Sequence, residues 1–191
     1  MGLCTILFST RRLFLLVVLF GYFGLPSAAP QHLHLTALVS DLDGRAAFEC
    51  WEISTPFSTY PTVGDVIPGL ADVSNVSYVV LPARSNEGLH RPPHPMFFVL
   101  LSGSAHVTLP DGAADLWIRA GTNGFMIAAD TVGDGHYTEY PSDEPSVALQ
   151  IPFLNGMLPR HRVAKDAVCE TPATLINMNN ANGWTTGQKV V

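Results

Sequence analysis

Few side chains in this 191-residue sequence are suited to chemistry, and most of those are histidines. His90 and His94 bracket an Arg-Pro-Pro run, His106 stands between Ala105 and Val107, and His136 follows Gly133-Asp134-Gly135. Imidazole titrates near neutrality, so each ring can serve as general acid, general base or neutral metal ligand. Together, His90, His94, His106 and His136 make one candidate ligand set for a divalent ion. Each also has a plainer reading: His90 as a solvated loop residue, His136 as an exposed turn residue, His106 as the outward position of a half-buried strand. His32 and His34, near the start of the first strand, read as surface. Glu52, beside Trp51, is a candidate acid if its strand turns it inward and an ordinary exposed carboxylate if not. Arg84, a few residues before His90, is a permanent cation.

These groups have to be held by strands. Short runs rich in Val, Ile, Phe, Tyr and Leu alternate with Gly, Pro, Asp and Asn, the punctuation of a β protein. Leu33–Val39 leads into a turn at Asp41-Leu42-Asp43-Gly44, and Ala46–Ile53 returns as its hairpin partner. Further strands are expected at Tyr78–Leu81, Met96–Leu101, Ala105–Leu109, Leu116–Ala120, Phe125–Ala128 and Val147–Phe153. Fifteen prolines are spread along the chain, which opposes long helices. One or two helical turns are expected at Val163–Val168. Seven or eight strands in one unit predict a closed barrel or a sandwich able to hold a small apolar ligand.

The N-terminus has the three parts of a cleavable signal peptide. Arg11 and Arg12 precede a 13-residue apolar run, Leu13–Leu25, and Pro26-Ser27-Ala28-Ala29 supplies small residues for cleavage. A membrane-spanning helix needs about 20 apolar residues. The expected organisation is a signal peptide at 1–29, a β-rich domain at 30–170 and a polar extension at 171–191, in a protein of the secretory pathway. Without the signal, eight basic residues face sixteen acidic ones, a formal charge of −8. That balance argues against nucleic acid or an anionic membrane surface as a partner. Cys4 leaves with the signal, so Cys50 and Cys169 are the one pair available for a disulfide in an oxidising compartment. Asn75-Val76-Ser77 is the single glycosylation sequon.

Residues 82–111, PARSNEGLHRPPHPMFFVLLSGSAHVTLPD, resemble the first motif of the cupin superfamily: Gly, five residues, His-x-His, three or four residues, Glu, six residues, Gly. Anchored on Gly103, the motif places His90 on its first histidine, Pro92 on its second and Met96 on its glutamate. Thr131-Val132-Gly133-Asp134-Gly135-His136 resembles the second motif, Pro-x-Gly-x-x-His, with His136 on the histidine. The resemblance implies an all-β, single cupin-like barrel, a double-stranded β-helix or jelly roll. It also implies a metal cage of which only His90 and His136 remain, since proline has no donor atom and a thioether is a poor ligand for borderline ions. A metal-free pocket is therefore expected. Cupins pair through strand edges, so the resemblance also implies a homodimer.

The segments WEISTPFSTYPTVGD, LADVSNVSYVVLPARSNEGLH and GDGHYTEYPSDEPSVALQIPF resemble a narrower group, the fungal hetero-Diels–Alderases of tropolone-sesquiterpenoid pathways. Those proteins use neither metal nor organic cofactor. They turn a hydroxymethyl tropolone into a quinone methide and steer its cycloaddition onto a humulene-type macrocycle. The resemblance implies His90 and His136 as donors or acids, with Glu52 as a further acid, and Arg84 as an anchor for a tropolonate. Trp51, Tyr78, Phe98 and Met126, with His106 beside them, would form the substrate-binding wall. A metal-dependent cupin oxygenase or isomerase and a non-enzymatic binder of small apolar ligands are the alternative readings.

Overall fold

Turn chemistry at residues 41–45 starts the fold. The Asp41 carboxylate accepts from the backbone N–H groups of Asp43 and Arg45 at 2.8 and 2.9 Å, and Gly44 takes the positive φ the reversal requires. This joins β1 (His32–Ser40) to β2 (Ala46–Pro56) as the expected hairpin, paired from Leu38–Phe48 back to His34–Glu52. The structure, a computed structural model, describes residues 30–121 and 123–170. The expected signal peptide and the 171–191 extension lie outside the described residues. Among those residues no helix is long and apolar enough to cross a membrane.

The chain continues through β3 (Ser58–Thr59), β4 (Asp65–Val66), β5 (Ser77–Leu81), β6 (Ser85–His90), β7 (Met96–Ser102) and β8 (Ser104–Thr108). Then follow β9 (Asp115–Arg119), β10 (Phe125–Ala128), β11 (His136–Tyr140), β12 (Ser146–Pro152) and β13 (His161–Lys165). Seven strands form one sheet in the order β13-β2-β1-β10-β7-β12-β5, and four form a second in the order β6-β11-β8-β9. Pairing is antiparallel except between β1 and β10. Two sheets facing each other in this order make the all-β, jelly-roll-like architecture expected from the sequence.

The middle strands of the larger sheet are apolar on both faces, and period-2 alternation shows which residue goes where. Leu38, Phe98, Leu100, Met126 and Ala128 point between the sheets and meet Ala105, Val107, Ile118 and Tyr140 of the smaller sheet. Their neighbours Ala37, Phe97 and Ile127 point the other way, into a second core with Leu35, Trp51, Ile53 and Phe153. That outer core is covered by Phe57, Ile67, Leu70 and Ala71 of the segment carrying β3 and β4. A sheet buried on both sides reads as a continuous apolar run, as MFFVLL and FMIAA do.

Gly103 makes the turn from the larger sheet into the smaller one. Its φ is 81°, and a Cβ there would sit 2.1 Å from the Ser146 hydroxyl on β12. The helical turns expected at Val163–Val168 are corrected. His161–Lys165 is strand β13, whose residues pair with β2 from Ile53 to Cys50. An open edge on β2 is satisfied by a strand, and residues largely exposed on both faces of β13 hid its period. The Cys50–Cys169 disulfide forms just beyond it.

Candidate functional site

Two strands of the smaller sheet build the site. On β11, His136, Thr138 and Tyr140 are buried while Tyr137 and Glu139 face outward. Beside it runs β6, in a register that puts His90 directly opposite His136. Gly135 permits this approach: its φ is 75°, and a Cβ would lie 2.3 Å from the His90 carbonyl oxygen. The two imidazoles therefore stand with ring centroids 4.4 Å apart, tilted by 59°.

They look into a cavity of about 310 Å³ between the sheets. Its apolar wall comes from Met96, Phe98, Val107, Ile118, Met126 and Ala128. Glu87, Arg91 and Pro92 stand on the His90 side, and Thr138, Tyr140 and Gln150 add polar groups inside. The size is at the low end of the roughly 300–1,000 Å³ usual for small-molecule sites, and the mixture of apolar wall and few convergent polar groups is typical of them.

Each histidine has a carboxylate of its own. His136, buried, has Nδ1 2.6 Å from Oδ2 of Asp130, which is fully buried at the end of the β10 segment. His90 has Nε2 3.0 Å from Oε2 of Glu87 and Nδ1 3.0 Å from the Gly88 carbonyl oxygen. The Glu87 hydrogen bond, helped by the Gly88 carbonyl and opposed by burial, lifts the His90 pKa above its ordinary value. Tyr140 is pushed well above the usual phenol range, first by burial and then by the negative charge of Glu87. Tyr140 is thus a neutral hydroxyl at any physiological pH.

Of the other residues singled out in the sequence, Phe98 and Met126 line the cavity with the two histidines. Five do not, and the expectation that they serve this site is corrected. Arg84 sits at a turn with φ of 52° and donates to exposed Asp143 at 2.7 Å. Glu52 accepts from Arg162 at 2.8 Å and lies 3.2 Å from His34; the Arg162 hydrogen bond holds its pKa below the usual carboxylate value. Trp51 is packed in the outer core, stacked on His161 with centroids 3.5 Å apart. Tyr78, on the edge strand β5, is 66% exposed. His106 faces away from its inward neighbours Ala105 and Val107, stacks on Trp117 and lies 2.8 Å from Asp115. Asn75 is exposed.

The cage implied by the cupin resemblance does not fit these residues. Among the described residues no three His, Cys, Asp or Glu side chains gather where they can share an ion. His94 is exposed and His106 is turned outward, so the four-histidine set does not assemble. Pro92 and Met96, at two of the motif's donor positions, are buried against the cavity. The side chains that do converge suit proton transfer better than ion binding.

No family model matches the chain, and no curated protein matches it. Among solved structures, it is similar to the Schizosaccharomyces pombe Cnp3 cupin domain, with TM-score 0.33 and 12% identity over 66% of this chain and 87% of that one. So slight an overlap bears on neither substrate nor site; the jelly-roll assignment rests on the strand order and pairing above.

Asp130, Glu87 and Tyr140 were not singled out by sequence reasoning. Asp130 had one legible signal, an acid placed directly after the apolar run FMIAA and before a glycine turn. Glu87 and Tyr140 had none, because they act through strands β6 and β11, whose polar composition hid them.

Proposed function

We propose that the cavity binds a small, mostly apolar, oxygen-bearing molecule and performs acid–base chemistry on it without a resident metal. In its most specific form the reaction is a hetero-Diels–Alder closure. A hydroxymethyl tropolone loses a proton from its ring hydroxyl and its side-chain hydroxyl as water, which leaves a quinone methide. The exocyclic methylene and the ring oxygen then bond to the two carbons of one alkene of a humulene-type sesquiterpene, giving a dihydropyran.

The observation that carries this reading is the His90–His136 pair on the wall of a largely apolar cavity whose remaining cupin donor positions are Pro92 and Met96. Expelling water needs one group to accept a proton and another to supply one, and adjacent imidazoles suit both tasks. The cycloaddition needs no covalent help. Holding the partners at near-attack distance and polarising the tropolone oxygen are sufficient to lower its barrier. Phe98, Met126 and Ile118 offer the surface for a terpene, and Thr138, Tyr140 and Gln150 offer hydrogen bonds to oxygen. This reading puts the protein in the secretory pathway, with small molecules rather than nucleic acid as partners.

The test is incubation of purified protein with a hydroxymethyl tropolone and humulenol, followed by mass spectrometry and chiral chromatography. A single enantiomeric adduct formed faster than in buffer is expected. Saturable binding of the tropolone without adduct would replace this reading with the ligand-binding one. Turnover that vanishes on chelation and returns with one added ion would replace it with the metal-dependent one.

A further inference from the structure

We propose that the two histidines are held in complementary protonation states, with Asp130 fixing His136 as the Nδ1–H tautomer whose Nε2 lone pair serves the cavity and Glu87 with the Gly88 carbonyl fixing His90 as the doubly protonated ring. Asp130 and Glu87 are then positioning residues, and the imidazoles are the catalytic ones. This deepens, and rests on, the reading of the cavity as an acid–base site.

The argument is one of hydrogen-bond direction. A carbonyl oxygen accepts and never donates, so His90 Nδ1, 3.0 Å from the Gly88 oxygen, carries a hydrogen. Its other nitrogen lies 3.0 Å from a carboxylate oxygen, which likewise calls for a donor. A ring with acceptors at both nitrogens is satisfied only as imidazolium. The raised pKa of His90, due first to Glu87, agrees with this.

His136 has the opposite arrangement. Nδ1 is 2.6 Å from Asp130 Oδ2 and so donates, while Nε2 has no protein partner among the described residues and the ring lines the cavity. Asp130 is fully buried, and its second oxygen, Oδ1, also lacks a protein partner among the described residues. A buried carboxylate oxygen left unpaired costs stability, so the contact to His136 is what the acid is placed to make. The charged and titratable groups around the pair are Glu87 and Arg91 on the β6 side and Tyr140 and Asp130 on the β11 side. Arg91 donates to the Gly133 carbonyl, which ties it to the turn before His136. One negative group therefore faces each ring, yet only His90 has an acceptor at both nitrogens.

Complementary states let the pair complete a dehydration. Nε2 of His136 takes the proton from the tropolone hydroxyl, and His90 gives one to the departing hydroxyl as its C–O bond breaks. Water and quinone methide leave, His136 is now cationic and His90 neutral, and one proton returned from His136 to His90 restores the start. No oxidant or further reactant is required.

The test is long-range 15N–1H NMR of the histidine rings in the labelled, full-length protein at pH 7.5 without substrate, assigned with His90→Gln and His136→Gln. His136 should show one protonated nitrogen, Nδ1, and one bare nitrogen, Nε2; His90 should show two protonated nitrogens. Asp130→Ala should release His136 toward the Nε2–H tautomer. Glu87→Gln, at a half-exposed position, should turn His90 neutral at the same pH, and it keeps the test intact if Asp130→Ala fails to fold. An Nε2–H pattern for His136 in the unsubstituted protein, or a neutral His90, overturns the proposal, as does either variant leaving its ring unaltered. Because no substrate is present, these spectra stand or fall apart from the adduct assay. Where turnover is measured, Asp130→Ala should lower kcat on the order of 10²–10⁴-fold with KM little changed.

Discussion

The Cys50–Cys169 bond offers the cleanest quantitative check on how the barrel is held. It closes a loop of 119 residues. On the chain-entropy relation a loop that long removes about 16 cal/mol/K from the unfolded ensemble, or roughly 5 kcal/mol at 25 °C. For a domain of about 140 residues, 1 kcal/mol moves Tm by roughly 3–5 °C, so the ceiling is a drop of about 15–25 °C. The native contacts around the bridge are modest. Lys165 pairs with Cys50 across β13 and β2, and the Cys169 N–H donates to the Thr36 hydroxyl at 3.0 Å. Little of the folded state is therefore lost with the bond, and most of the effect belongs to the unfolded chain. The assay is calorimetry of oxidised protein, reduced protein and a Cys50→Ala/Cys169→Ala double variant. Reduced protein and variant should melt at similar temperatures, both about 10 °C or more below the oxidised form. A change under about 3 °C in both would refute the loop-entropy reasoning, and free thiols in the folded protein would refute the bond.

Phe98→Ala should impair both binding and stability, by roughly 3–5 kcal/mol in unfolding free energy, because the ring is both cavity wall and inter-sheet core; urea unfolding and substrate titration measure the two. Gly103→Ala should destabilise by roughly 2–5 kcal/mol, combining a strained φ with a clash on Ser146, and an unchanged denaturation midpoint would contradict the close approach. Activity should survive exhaustive chelation, as judged by adduct formation with and without a strong chelator. In pH terms, His90 has a raised pKa, so its contribution to stability is complete below the ordinary histidine value and fades as pH rises through the raised one; Glu87→Gln should flatten that basic limb in stability-versus-pH curves.

Where side chains are apolar, the fold was readable in the sequence. Every expected strand from Leu33–Val39 to Val147–Phe153 appears within a few residues of its place, because the inner strands of the larger sheet stand out as apolar runs and β8 and β9 alternate apolar with polar residues. The site strands were the unreadable ones. SNEGLH has a mostly exposed pattern, and HYTEY buries a histidine and a threonine while exposing a tyrosine, so neither announced itself. His90 and His136 were reachable through motif spacing, but their carboxylates were not: Glu87 is brought to His90 by a glycine bend, and Asp130 to His136 across a turn. Arg84, Glu52 and Tyr78 lie away from the cavity for one reason. Residue type suggested chemistry, while position on a turn, beside Arg162 or on a sheet edge gave each a surface role.

The parallel junction between β1 and β10 sets the pace at which this chain can fold. Ala37 pairs with Ile127, about 90 residues along the chain, and no hairpin can bring them together. The β1–β2 hairpin can form in microseconds from its own turn, and so can β8–β9. Neither can bury its apolar face until the middle of the sequence has closed on β1. Folding dominated by such distant pairings takes milliseconds to seconds. For that interval MFFVLL and FMIAA are exposed together, and they are also the strands that later wall the cavity. The apolar surface that walls the cavity is thus the same surface that lies open to aggregation while the chain is still unfolded.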